Sequence, residues 1–292
     1  MTKLSTGDIK KLRDITGAGF LDCKEALDET NSDIDKAIDY LRKKGISTAQ
    51  KKGERTASDG LVALTKSDDN KEASLIEINS ETDFVARNTD FQEFVTKISN
   101  INLSIKGNLD ELNNSKYNDA DNVSQVLTNL IAKIGEKLTI RRSAYLNIKE
   151  GFIGTYIHNI EKDNMGKIGV IISVSTKLKY DLITDFLKKI CMHIAATNPL
   201  SLTSSDLDNN IIKKEKDFQL EEIKKSGKDE KIQEKMLEGK MKKFYSEVAL
   251  LDQNFIMDDT LKISQFIENT SKELNGDIKI DKFIRFKVGE GI

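Results

Sequence analysis

The sequence has 292 residues, of which 38% are hydrophobic and 32% are charged. Its 46 basic and 48 acidic side chains nearly cancel, leaving a formal net charge of −2, so we expect no nucleic-acid-binding surface. The two cysteines, Cys23 and Cys191, lie far apart, which excludes a disulfide framework and favours a reducing compartment. The N-terminus lacks the apolar core of a signal peptide, and no apolar run approaches the length of a membrane span. We therefore expect a cytoplasmic protein without a membrane partner.

Residues 1–45 predict a small domain of three short helices. Apolar residues recur at helical spacing in three successive stripes. Ser32 and Asp35 resemble a capping box at the start of the third helix, and Gly45 is a typical helix end. The polar run 46–58 has no periodicity, and we interpret it as a linker.

The middle of the chain predicts an α+β core with mostly antiparallel strands. Two strand-like runs, LVALTKS and ASLIEIN, flank DDNKE, which is a hairpin signal. A helix is predicted from near Thr82, with Phe91 and Phe94 on its apolar face. We divide this core into two parts, residues 59–140 and 141–292.

Residues 211–247 are dense in charge of both signs and poor in apolar residues. Widely spaced apolar residues, from Ile211 to Ile223 and from Ile232 to Phe244, predict an antiparallel hairpin of two helices inserted in the second part of the core. Its apolar stripe is too thin for a globular core. The hairpin therefore either projects into solvent or pairs with a partner, and we favour the partner.

The sequence shows no pattern typical of a nucleotide-binding or catalytic site. There is no P-loop and no GxGxxG, and Gly166-Lys167 lacks the glycine upstream and the hydroxyl residue downstream. The two histidines, His158 and His193, lie in no metal-binding or catalytic cluster. We interpret His193 as a helix residue satisfied by a hydrogen bond, in preference to a ligand or base. We expect no cofactor, no metal and no enzymatic activity.

Arg141 and Arg142 are adjacent in a predicted strand. Strand alternation would send the two side chains to opposite faces of the sheet, which argues against a concentrated anion site. We expect these two arginines to form structural ion pairs with carboxylates.

The stretch NSETDFVARN places Phe84 within a polar and acidic run. In one interpretation Thr82 caps a helix, Asp83 complements the helix dipole and Phe84 packs inward. In the other, Phe84 is an exposed apolar group that contacts another molecule. These residues alone leave both interpretations open.

Several segments, in order along nearly the whole chain, resemble the translation elongation factor Ts family. They are KLRDITGAGFLDCKEAL, INSETDFVARNTDFQEF, IAKIGEKLTIRR, MHIAATNP, EGKMKKFYSEVALLDQNF and FIRFKVGEGI. The resemblance implies a three-helix, ubiquitin-associated-like N-terminal domain, a two-part α+β core and a coiled-coil hairpin. This agrees with the organisation predicted from periodicity.

The function that the resemblance implies is guanine nucleotide exchange on elongation factor Tu, the GTPase that delivers aminoacyl-tRNA to the ribosome. The family binds the GDP form of this GTPase, displaces magnesium and promotes GDP release, so that GTP can bind. A homodimer or a 2:2 complex through the helical hairpin is compatible with it.

The resemblance also implies site residues. Thr82, Asp83, Phe84 and Val85 match the segment that displaces magnesium, with Phe84 as a wedge between helices of the partner and Asp83 as the carboxylate that rearranges a helix end. Further residues that match partner contacts of the family are Phe20, Leu21, Lys24, Ile134, Gly135, His158 and Val248. For Ile134, Gly135, His158 and Val248, burial in the core is the alternative.

The sequence departs from the family pattern in four places. Phe20-Leu21 stands where many members carry two methionines, an apolar replacement that preserves packing. The hairpin after His158 is longer than in the most compact members, and DQNF lacks a proline that is usual there. The sequence ends at Gly291-Ile292, where some members continue into a further helix, so we expect a smaller interface.

Overall fold

The computed structural model describes residues 5–225 and 227–292 of the chain. Within these ranges the helices are α1 (Thr6–Thr16), α2 (Phe20–Glu29), α3 (Ile34–Lys52), α4 (Asp83–Ala86), α5 (Thr89–Ser104), α6 (Leu109–Asn114), α7 (Val123–Ile134), α8 (Tyr180–Thr197), α9 (Asn209–Lys224), α10 (Glu230–Val248) and α11 (Ile263–Leu274). The strands are β1 (Asp59–Lys66), β2 (Glu72–Ser80), β3 (Thr139–Asn147), β4 (Phe152–Lys162), β5 (Met165–Thr176), β6 (Asn254–Phe255), β7 (Asp258–Lys262) and β8 (Ile278–Lys287).

The first three helices pack around a small apolar core of their own. Helix α1 begins after Ser5, whose hydroxyl accepts a hydrogen bond from the Gly7 N–H, and it ends at Gly17, which has a left-handed φ of 66°. The buried residues of this core are Ile9, Leu12, Cys23, Ala26, Leu27 and Ala37. The prediction of three N-terminal helices is confirmed.

The predicted end of the third helix is wrong. Helix α3 continues past Gly45 to Lys52, so half of the run 46–58 that was interpreted as a linker is helical. Gly45 lies against α7, where an added Cβ would be 3.6 Å from the Ala132 Cβ. Ala49, one turn further on, packs against the core. Tertiary packing against α7 thus outweighs the weak helix propensity of glycine.

The strands β1 to β5 and β8 form one antiparallel sheet of six strands, in the order β3-β2-β1-β5-β4, with β8 also paired to β5. Strand β1 is in register with β5 at Val62↔Gly166 and Ala63↔Met165, whereas β5 pairs with β4 and β8 along most of its length. The predicted α+β class with antiparallel strands is confirmed.

Helices cover the outer face of each half of this sheet. Helices α5 and α7 pack on β1 and β2 through one apolar cluster, and α8 and α11 pack on β5 and β8 through another. The inner faces of the two halves meet in a third cluster, which joins Val62, Leu75 and Leu146 to Ile171 and Phe286. The two halves of the sheet therefore pack face to face.

Helices α9 and α10 form the predicted helical hairpin and pack against each other. Ile223 and Met241 are buried, whereas Phe218 and Ile232 are 58% and 43% exposed. The thin apolar stripe expected from the sequence is thus partly covered by helix-to-helix contact and partly open to solvent.

Arg141 and Arg142 bind the same carboxylate. Glu77, which is fully buried, lies 3.0 Å from Arg141 Nη1 and 2.5 Å from Arg142 Nε. The expected structural ion pair is confirmed, but the expected separation of the two arginines is wrong. The register changes from Glu77↔Arg142 to Ile78↔Ile140, so Arg141 is the extra residue of a β-bulge and its side chain is re-aimed.

His193 is a buried residue of α8 with both ring nitrogens hydrogen-bonded, as predicted. Its Nε2 lies 2.9 Å from Gln253 Oε1, and the Ile256 N–H donates to its Nδ1 at 3.3 Å. Because Nδ1 accepts, Nε2 carries the proton that is donated to Gln253, and the ring is neutral.

We expect the free energy of unfolding to fall as the pH is lowered below about 6.5, the ordinary histidine pKa. Burial holds the pKa of His193 below that value, against the opposing effect of the Gln253 hydrogen bond. The unfolded chain therefore takes up a proton that the folded protein does not, and stability is lost until the folded pKa is reached. In urea unfolding between about pH 7 and pH 5, His193→Gln should flatten this dependence. Equal slopes for the variant and the wild type would contradict the prediction.

Candidate functional site

The chain between β2 and α5 forms an exposed turn, which we call the Phe84 turn (residues 81–87). The single helix predicted from Thr82 is wrong, because the four-residue α4 is separated from α5. Asn88 caps α5 by accepting a hydrogen bond from the Phe91 N–H at 3.1 Å. The asparagine side chain satisfies a backbone donor at a helix start, which favours a new helix at this point.

Adjacent side chains of the Phe84 turn point in different directions. Phe84 is 77% exposed and Asp83 is exposed beside it, whereas Val85 is 4% exposed and belongs to the apolar core. Val85 thus holds the turn onto the core while Phe84 projects into solvent. The interpretation in which Phe84 packs inward is wrong for this structure.

Thr82 is the N-cap of α4, but its side chain does not cap the helix. Its hydroxyl donates to Glu136 Oε1 at 2.7 Å, and its backbone N–H donates to Glu136 Oε2 at 3.0 Å. In the reverse direction, the Lys137 N–H donates to Glu81 Oε1 at 2.6 Å. The turn is therefore held by the loop between α7 and β3, which lies 54 residues further along the chain.

The same loop is joined to the end of α3. Lys52 Nζ donates to the Gly135 carbonyl, and Lys137 Nζ donates to the carbonyls of Gly53 and Arg55 at 2.7 and 2.8 Å. The Arg55 guanidinium lies 3.2 Å from Glu81. Residues 52–55, the Phe84 turn and the loop after α7 are thereby connected in one network.

Ile134 and Gly135, two predicted contact residues, lie at the end of α7 beside this network. Ile134 is half-buried against the core, and Gly135 is exposed with a φ of 81° that favours glycine. The alternative of burial therefore holds in part for Ile134 and does not hold for Gly135.

The three predicted contact residues of α2 are all exposed. Phe20 is 50% exposed, Leu21 is 76% exposed, and Lys24 is exposed. An added Cβ on Gly17, in the preceding turn, would lie 3.6 Å from Lys133 Nζ. The turn before α2 is thus near the end of α7.

His158 and Val248 lie on other elements. His158 is exposed on β4, where its Nδ1 is 3.0 Å from Tyr156 Oη, and Val248 is half-buried at the end of α10, where its carbonyl accepts from the Leu200 N–H. Within the described ranges, no hydrogen bond or ion pair joins either residue to the Phe84 turn. The structure therefore joins the end of α7 to the Phe84 turn through the hydrogen bonds of Glu136 and Lys137, whereas α2 approaches α7 only near Gly17 and Lys133.

Glu81, Glu136 and Lys137 are residues of the site that the sequence analysis did not single out. Glu136 and Lys137 lie within IAKIGEKLTIRR, one of the segments that carry the family resemblance. Nothing in their spacing distinguishes them from the many other charged residues, because their partners are remote in sequence.

In the part of the chain that the structure describes, no group of three or more His, Cys, Asp or Glu side chains is placed to hold a metal ion. None of the described helices is long and apolar enough to cross a membrane.

The fold and the site define an α+β protein that presents an anchored apolar turn at its surface. The family model described as elongation factor TS matches residues 81–290. Elongation factor Ts of Bartonella henselae is 43% identical over 290 residues, covering 99% of this chain and 94% of the relative. The Rickettsia bellii protein of the same name is also 43% identical, covering 99% and 93%. The chain belongs to the elongation factor Ts family, whose members are elongation factors of translation.

Proposed function

We propose that this protein is a guanine nucleotide exchange factor for elongation factor Tu and has no catalytic site of its own. It binds the GDP form of the GTPase, displaces magnesium and promotes GDP release, so that GTP can bind. Family membership supports this proposal, and the exposed Phe84 is the observation that carries it. A large apolar side chain held in solvent by a dedicated network is suited to insertion into another protein.

Exchange requires competition between the factor and the nucleotide. A GTPase holds GDP through phosphate and magnesium contacts, so spontaneous release is slow. An exchange factor binds the nucleotide-free GTPase more tightly than the nucleotide-bound GTPase. By linkage, its binding weakens the affinity for nucleotide by the same ratio. A coupling of about 1–3 kcal/mol changes affinity roughly 5–150-fold. Efficient exchange therefore needs contacts that disturb the magnesium site of the GTPase, because a factor that only docked nearby would not weaken nucleotide binding.

The Phe84 turn is suited to this task. In the proposal Phe84 enters between helices of the GTPase, where burial of its side chain contributes about 1.5–3 kcal/mol. Asp83, exposed beside it, interacts with a helix end of the partner and rearranges its hydrogen bonds. Thr82 holds the turn in place by its hydrogen bonds to the loop after α7, and Val85 does so by packing into the core.

The remaining contacts lie on several elements. We propose that Phe20, Leu21 and Lys24 of a ubiquitin-associated-like domain form one contact with the GTPase. Further contacts come from Ile134, Gly135, His158 and Val248. The hairpin α9–α10, with its exposed Phe218, would contact the GTPase or a second copy of the chain, giving a homodimer or a 2:2 complex.

The test is the release of labelled GDP from elongation factor Tu of the same organism, at increasing concentrations of this protein. The proposal expects a release rate that rises and then saturates. Binding with an unchanged release rate would instead support a module that only docks on its partner, and would overturn the proposal.

A further inference from the structure

We propose that Glu136 is a positioning residue for Phe84, acting from a distant loop as an anchor for Thr82, the residue that precedes α4. This inference rests on the proposed function, since it concerns how the turn that performs exchange is held. Glu136 is expected to set the direction in which Phe84 projects, without itself contacting the nucleotide.

Helix α4 is too short to define its own orientation. It has four residues, and a helix of this length gains little from its internal hydrogen bonds. Its N-cap residue Thr82 has extended backbone angles, with φ −128° and ψ 159°, and its side chain makes no capping hydrogen bond. Burial of Val85 and Ala86 seats the C-terminal half of α4, and the orientation of its N-terminal side depends on the attachments of Thr82.

Glu136 supplies that constraint. Its two carboxylate oxygens accept the Thr82 N–H at 3.0 Å and the Thr82 hydroxyl at 2.7 Å, which fixes backbone and side chain of the residue just before Asp83 and Phe84. Both bonds have a charged acceptor and are of the stronger kind.

A reciprocal bond prevents rotation about this attachment. The Lys137 N–H donates to Glu81, so each of the two loops offers a carboxylate to the other. The Lys137 N–H, followed by the Arg55 guanidinium, holds the pKa of Glu81 below its ordinary value, so this carboxylate stays charged. Because the consecutive residues Glu81 and Thr82 are both bonded to the loop after α7, the orientation of the Phe84 turn is fixed, whereas a single bond would fix only its distance from that loop.

The constraint matters because an exposed phenylalanine gains free energy by folding back onto apolar surface. Val85, buried next to Phe84, belongs to an apolar core that the ring could join if the turn rotated. With Thr82 fixed to Glu136, the turn keeps Val85 inward and Phe84 outward. The unbound protein then presents the wedge without first reorganising.

We expect Glu136→Ala to lower the maximal rate of labelled GDP release, measured at saturating factor, by about tenfold. The factor concentration at half-maximal rate should change much less, because the contacts through α2 remain. Glu136→Gln keeps one acceptor oxygen and should recover part of the rate. Glu150→Ala, which removes an exposed carboxylate between β3 and β4, is the matched control and should behave like the wild type.

The decisive measurement combines variants. In a Phe84→Ala background, Glu136→Ala should cause no further loss of rate, because a residue that acts through Phe84 has nothing left to position. Thr82→Val, which removes only the hydroxyl, should lower the rate less than Glu136→Ala, and its effect should disappear when Glu136 is already alanine. Additive losses in either pair would overturn the inference.

Thermal unfolding of each variant separates positioning from folding. If Glu136→Ala does not fold, Glu136→Gln and Thr82→Val carry the same test. If the wild type fails to accelerate GDP release, the proposed function is overturned. If the wild type accelerates release and Glu136→Ala is as fast as Glu150→Ala, the inference alone is overturned.

Discussion

Phe84→Ala should reduce the acceleration of GDP release at least about thirtyfold, which corresponds to about 2 kcal/mol of lost interaction. Aromatic side chains inserted at the centre of an interface make contributions of this size. The variant should keep its stability to within about 0.5 kcal/mol, because removal of a side chain that is 77% exposed leaves no cavity.

The measurement is GDP release at saturating factor, together with thermal unfolding of the free variant. Leu182→Ala, on α8, is a suitable control because Leu182 is also an exposed apolar residue, at 53%. Unchanged release by Phe84→Ala would contradict the wedge role. A large drop in thermal stability would instead show that Phe84 contributes to the core.

Glu77→Gln should lower the free energy of unfolding by about 2–3 kcal/mol at neutral pH. The variant removes the buried counter-charge of Arg141 and Arg142 and leaves Arg142 only the more distant Glu290 carboxylate, at 4.0 Å. These arginines are 23% and 29% exposed, so water screens them in part and the loss lies at or below the lower end of the range of about 3–5 kcal/mol for broken buried ion pairs. Glu77 also accepts the Gly289 N–H at 2.8 Å, so the last turn of the chain should loosen as well.

The effect should depend on pH. Burial alone would raise the pKa of Glu77, but the Gly289 N–H, Asn79 and the two guanidinium groups hold it below its ordinary value. The stabilisation is therefore complete above the unfolded pKa of about 4.3 and is lost as the pH falls through the folded pKa. Urea unfolding should show wild type and variant converging at acid pH, with Glu150→Gln as the control. Equal stabilities at pH 7 would contradict this role of Glu77.

Local patterns in the sequence identified most elements of the fold. The apolar spacing of Phe91 and Phe94 predicted the face of α5 that is buried, and the sparse apolar residues of 211–247 predicted a hairpin with an incomplete core. These predictions succeed because the faces of helices and strands that become buried are encoded by short-range periodicity.

Element ends and charged partners were predicted less well. Gly45 would end α3 if its surroundings were solvent, but Ala132 of α7 packs against it and the helix continues. Arg141 and Arg142 would diverge in a regular strand, but a β-bulge brings both to Glu77. In each case a contact between residues distant in sequence outweighs a local preference.

The stretch NSETDFVARN by itself determined that a turn or helix start lies here and that Phe84 is its one large apolar side chain without an obvious apolar face. Only the tertiary structure decided that Phe84 points outward. That outcome depends on Val85 finding the core and on Thr82 meeting Glu136, 54 residues away. The sequence does not identify a hydrogen-bond partner at such a separation, because many carboxylates in the chain could accept a hydrogen bond from a threonine. The fold determines which of them lies within reach.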